Sequence, residues 1–122
     1  MRCIGVCLIS AILFGISYAK QPNDAKVKQH VELAENCISN GELDIAYKYL
    51  QDAESLTMDK KQLAYIYKEM GEIAERKMHY TDAILYYTRS LILAKNSRYR
   101  ELEIVLNEKI SNIQSRMLIT SR

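Results

Sequence analysis

From Val27 onward apolar residues recur at spacings of three and four, and short polar breaks cut that pattern into five blocks. The first block follows Pro22, where Asn23 or Asp24 can cap a helix running to about Asn40; Asn40-Gly41 then ends it, because glycine enters the left-handed conformation cheaply. A second block runs to about Leu56, and Thr57 to Asp59 offer a turn and a fresh cap. The third spans about Lys60 to Lys77, with a break at His79 to Thr81, and the fourth spans about Asp82 to Lys95, ending at Asn96-Ser97. The fifth begins near Arg98, and Leu102, Leu106, Ile110, Ile113 and Met117 form one apolar stripe along it. Connections this short make consecutive helices antiparallel neighbours. The pattern predicts an all-α chain of two helical hairpins and a closing helix.

The hairpins repeat each other. The stretch "LDIAYKYLQDAESL" from Leu43 returns as "YTDAILYYTRSL" from Tyr80, and Ala46 to Ala83 gives a period of 37 residues. The second hairpin reads Tyr67-x-x-Met70-Gly71-x-x-Ala74 and then Ala83-x-x-x-Tyr87; the first reads His30-x-x-Leu33-Ala34-x-x-Cys37 and then Ala46-x-x-x-Leu50. Small residues at Ala34, Gly71, Ala46 and Ala83 let paired helices approach closely, and Leu33, Leu50, Met70 and Tyr87 are expected to fill the space between layers.

This register resembles the tetratricopeptide repeat (TPR) family, whose period is about 34 residues. His30 stands where that family favours a large aromatic, and Cys37 and Ala74 where it favours tyrosine. The resemblance implies antiparallel hairpins stacked as a short TPR-like right-handed superhelix, with repeat one at about 27–60, repeat two at about 64–97 and a capping helix at about 98–118. It also implies a concave groove that binds a peptide or helix. One helical step from the core positions, the expected groove residues are Val31, Glu35, Ile38, Tyr65, Lys68, Glu72 and Glu75.

Composition fits this picture. The chain has 122 residues, enough for one domain, and 4 Gly and 1 Pro against 48% apolar residues favour long helices over turns. Residues 1–19 read instead as a secretory signal peptide: Arg2, an apolar run from Cys3, and Ser17-Tyr18-Ala19 before Lys20. Its removal would leave residues 20–122 as the domain and Cys37 as the sole thiol, either buried or paired with another chain. Retained, it would be a membrane anchor, though a short one. Charge is uneven, with 4 basic against 8 acidic residues from Lys20 to Asp59 and 12 basic against 7 acidic from Lys60 to Arg122.

Candidate chemistry is sparse. His30 and Cys37 share a helix face, but seven residues separate them by about 10 Å, too far for a nucleophile and its base. Glu69, Glu72 and Glu75 share a flank interleaved with Lys68, Arg76 and Lys77, which reads as a solvated face. There is no phosphate-binding loop, HExxH, CxxC or calcium loop, so neither an enzyme nor a cofactor is expected. The tyrosines fall at packing positions and the pI near 8.4 is mild, which argues against nucleic acid. The expectation is a small exported protein-interaction module, periplasmic or secreted: adaptor, assembly factor or envelope-complex subunit. The alternatives are a self-associating structural unit, hence a homo-oligomer, and the remnant sensor domain of a larger receptor.

Overall fold

The computed structural model describes residues 20–120, which form five helices: α1 (Lys20–Ser39), α2 (Leu43–Leu56), α3 (Lys60–Arg76), α4 (Tyr80–Asn96) and α5 (Arg100–Thr120). The expected signal peptide, residues 1–19, lies outside the described residues. The described chain is all-helical, with the helix count that the apolar pattern predicts.

Two boundaries differ from expectation. α1 reaches back to Lys20, so Asn23 and Asp24 lie inside it and do not cap it. Pro22 is tolerated there because the first-turn N–H groups have no intrahelical acceptor. α4 starts at Tyr80, two residues before Asp82, since the His79 carbonyl already accepts from the Ala83 N–H at 2.9 Å. The break is therefore Lys77 to His79, and Thr81 is helical. The cap at Asp59 forms as expected, its Oδ1 accepting from the N–H groups of Lys61 (2.8 Å) and Gln62 (3.1 Å).

Three of the four connections share one stereochemistry. After α1, the Glu42 N–H reaches back to the Cys37 carbonyl at 2.8 Å while Gly41 turns left-handed at φ +82°. After α3, His79 bonds Ala74 at 2.8 Å with Met78 at φ +63°, and after α4, Tyr99 bonds Ala94 at 2.8 Å with Arg98 at φ +58°. The first two turns are 37 residues apart, the period of the sequence repeat.

Each helix packs on the next, and α1 also touches α3 while α3 touches α5. α1 and α3 are parallel: Gln62 near the start of α3 donates to Asp24 near the start of α1, and Arg76 at the end of α3 donates to the Ile38 carbonyl near the end of α1, each at 3.3 Å. α2 packs against α1 and α3; α4 packs against α3 and α5. The interior falls into two clusters that share α3. Val27, Val31, Ala34, Ile38, Ala46 and Leu50 meet Ile66, Met70 and Ile73 in the first, and Ala64 and Ala74 meet Tyr87, Leu102, Leu106 and Ile113 in the second. A helix between two cores needs apolar residues on more than one face, and α3 has them.

The small residues sit where the repeat places them. Ala34, Ala46 and Ala83 have no exposed surface, and a Cβ added at Gly71 would lie 2.5 Å from the Tyr87 ring. Among the large residues Leu50, Met70 and Tyr87 are buried, but Leu33 is 37% exposed. Leu33 occupies the position that Met70 fills in the second hairpin. Met70 packs into the first cluster, which the preceding hairpin supplies, whereas among the described residues nothing precedes α1 to cover Leu33.

Candidate functional site

Because α1 and α3 run parallel, their side chains enclose a groove of about 540 Å³ between them. Val27 and Val31 form its apolar floor, Tyr65 and Tyr99 its aromatic walls, and Lys28, Glu32, Glu35, Lys61 and Gln62 its polar lining. Tyr99 comes from the α4–α5 turn, whose backbone bond to Ala94 holds it in place. The Tyr65 hydroxyl donates to Glu35, and burial, then that bond, pushes the phenol well above its ordinary value. The Lys61 ammonium lies 5.8 Å from the centre of the Tyr99 ring, near cation–π range. Among the described residues, Lys28, Lys61, Glu32 and Glu35 form no ion pair.

The other half of this face is internally neutralised. Lys68 bonds Glu69 at 2.8 Å and reaches Glu72 at 3.5 Å; Glu72 also meets Lys109 of α5 at 3.0 Å. Glu75 accepts from the Tyr87 hydroxyl at 2.8 Å and from Arg116 of α5 at 3.3 Å. Burial raises the Glu69 carboxyl above the usual carboxylate range, against the pull of Lys68. Burial would lower Lys68, yet its two carboxylates outweigh it and raise the ammonium. Tyr87 is pushed upward by burial first and by Glu75 second.

Of the expected groove residues, Glu35 and Tyr65 line the groove and face each other. Val31 lines it too, but as floor: it is 9% exposed and belongs to the first core cluster. Ile38 is not in the groove. It is 4% exposed and packed in the core, because α3 lies alongside α1 and covers the face one helical step from Cys37. Lys68 pairs with Glu72, Glu72 also with Lys109 of α5, and Glu75 with Arg116 of α5, and none of the three lines the α1–α3 groove.

One further expectation is corrected. Glu69 is 3% exposed and does not belong to a solvated face. Lys61, absent from the expected groove residues, lines the groove. Lys28, Glu32 and Tyr99 were missed. Lys28 and Glu32 follow Val27 and Val31 by one residue each, so neighbours of buried α1 positions were the available signal; nothing local to Tyr99 marks it. Lys109 and Arg116 are not among the expected residues, because a capping role for α5 gives no reason for its charges to meet Glu72 and Glu75.

The His30 Nδ1–H donates to the Lys26 carbonyl at 2.7 Å, and its ring meets Tyr49 edge-on at 6.1 Å. Cys37 is half-buried against the first cluster. The Tyr47 and Tyr86 hydroxyls share a hydrogen bond at 2.8 Å, Tyr67 stacks on Tyr86 at 6.5 Å, and the Tyr67 hydroxyl donates to Glu54 at 2.8 Å. Among the described residues no cluster of His, Cys, Asp and Glu is arranged to hold a metal ion, and no helix is long and apolar enough to cross a membrane. Comparison with known proteins finds no matching family, no curated relative and no similar solved structure.

Proposed function

We propose that this chain is a small exported protein-interaction module of TPR-like build, which binds a peptide or helix from a partner protein in the groove between α1 and α3. The observation that carries this reading is the contrast in charge pairing across one face. Carboxylates and ammonium groups between α3 and α5 are paired with one another, whereas the four charges around the α1–α3 groove form no ion pair among the described residues. Charges outside any ion pair, beside an apolar floor and two tyrosines, suit a polar-rimmed, aromatic-walled peptide site. Export rests on the leader-like pattern of residues 1–19. The test is capture of partners from the native envelope or secretion fraction with residues 20–122 as bait, repeated with Lys61→Glu and Glu32→Lys. Both positions are exposed, so the fold should survive. Loss of the same partner with both variants supports the groove, and undiminished capture rejects it.

Self-association is a second reading, favoured by the two ends of the helix order. Leu33 of α1 is 37% exposed and Ile104 of α5 is 69% exposed. Sedimentation of the purified domain over a range of concentrations separates the readings: a mass that grows with concentration and falls back with Leu33→Asp favours self-association.

A further inference from the structure

Resting on the groove reading, the geometry points to a particular partner chemistry: we infer that the α1–α3 groove takes a peptide segment with an apolar anchor flanked on one side by an acidic residue and on the other by a basic one. The charges around the groove are not mixed at random. Asp24 pairs with Gln62 and Ile38 with Arg76, which aligns the two helices in parallel and puts Lys61 near the level of Asp24. Along the common axis the order is then Lys61, Lys28, Glu32, Glu35: two ammonium groups at the end where the helices begin, two carboxylates further on. The first turn of α3 adds nothing to the basic side, because its Lys61 and Gln62 N–H groups are already capped by the Asp59 carboxylate. Val27, Val31, Tyr65 and Tyr99 offer apolar and aromatic contacts alongside these charges, where the anchor would sit.

The spacing sets a ruler. Lys28 and Glu35 are seven residues apart on one helix, which is about 10 Å along the axis. An extended segment covers that distance in about three residues and a helical one in about seven. The segment's acidic residue then meets Lys28 and Lys61, and its basic residue meets Glu32 and the carboxylate oxygen of Glu35 that Tyr65 does not engage. An occupant charged at both ends with one sign would bring like charges together at one end of the groove.

The test uses the purified domain and a display library of random peptides about twelve residues long. Enriched peptides are resynthesised with a fluorophore and titrated against wild type, Lys61→Glu and Glu32→Lys, alongside versions carrying acid at both charged positions or base at both. The expected result is an acid and a base on opposite sides of an apolar residue, with binding about tenfold weaker or worse for either like-charged version. Lys61→Glu should also recover binding to the peptide whose acidic residue is replaced by lysine. Peptides that lose affinity with Lys61→Glu or Tyr99→Ala but show no such flanking, or tolerate like-charged ends, overturn the inference while leaving the groove reading standing. A library that yields no peptide, or only peptides that bind every groove variant equally, overturns both.

Discussion

The two hairpins follow one backbone plan with different interiors. Where the first has Ala34 and Leu50, the second has Gly71 and Tyr87; all four are buried. A methyl on the second hairpin's first helix would sit 2.5 Å from the tyrosine ring, so the larger partner is accommodated by removing the smaller one's side chain. The inner faces diverge as well. Val31 and Ile38 are core residues, while their counterparts 37 residues on, Lys68 and Glu75, carry charges that α5 and its own helix neutralise. What the repeat specifies is therefore helix placement. What each position becomes depends on which element packs against it next.

The largest effect should come from overfilling the second crossing. Gly71→Leu forces side-chain atoms into the space of the Tyr87 ring and should cost about 3 kcal/mol or more, the upper end for overpacking, read as loss of the cooperative thermal transition. The sharper version moves the first hairpin's pair into the second. Gly71→Ala and Tyr87→Leu should each destabilise, but combined they should be about 1–2 kcal/mol more stable than the sum of the singles, because the smaller side chain makes room for the methyl. Strict additivity in chemical denaturation would mean the two crossings are not equivalent.

Lys68→Glu comes next. From sequence this change looks nearly silent, an exposed i,i+4 pair worth a few tenths of a kcal/mol. The structure gives it a cost of about 3 kcal/mol, since it strips the buried Glu69 of its counter-charge and adds a third carboxylate between Glu69 and Glu72. Val31, its counterpart, has no such role, so Val31→Ala should behave as an ordinary core truncation with no salt dependence. A Lys68→Glu loss that vanishes on adding salt would place the pair in solvent after all.

That misjudgement shows where the sequence was legible. Helix number, order and the close-packing positions could be read because they depend on periodicity and residue size, which are local. The stripe on α5 is an example: Leu102, Leu106 and Ile113 are buried as the spacing predicts. The groove was half legible. Glu35 and Tyr65 lie on its lining, but the side of α1 that α3 covers, which buried Ile38, follows from how the helices lean and not from either helix alone. Tyr99 reaches the groove through the fold of another turn. Leu33 shows the same limit: its repeat counterpart Met70 is covered by the hairpin before it, and among the described residues Leu33 has no such cover.

The second hairpin should also respond to alkali. Tyr65 and Tyr67 of α3 and Tyr86 and Tyr87 of α4 all have phenols raised by burial, helped by hydrogen bonds to Glu35, Glu54, Tyr47 and Glu75 respectively. Raised folded values mean that the native state holds these protons more tightly than the unfolded chain. Their contribution is therefore full below about pH 10, the unfolded value, and is lost as pH climbs through the folded values. For Tyr86, pushed up to about 12, that window is pH 10 to 12. Melting temperature should fall steeply above pH 10, and Tyr86→Phe should flatten part of the fall. An unchanged slope in that variant would mean that the Tyr86 phenol titrates alike in the folded and unfolded chain.

The smallest effect tests the comparison most directly, at the turns. Gly41 and Met78 hold the same left-handed position one repeat apart, at φ +82° and +63°. A side chain with a Cβ costs roughly 1–2 kcal/mol there, whereas glycine enters the conformation freely. Met78 is 74% exposed, so Met78→Gly removes little packing. Glycine's extra freedom in the unfolded chain takes back part of the gain. The net should be about 0.5–1 kcal/mol of added stability, measured as a shift in denaturant midpoint with unchanged slope. Gly41→Met should lose a similar amount, since nothing lies within 4 Å of a Cβ built there and the cost is confined to the backbone. If the turns are equivalent, the double exchange should leave stability within a few tenths of a kcal/mol of wild type, as expected for two sites acting independently. A double variant clearly less stable than wild type would show that Met78 contributes contacts its exposure does not reveal, and that the two hairpins part company at the turn as well as at the crossing.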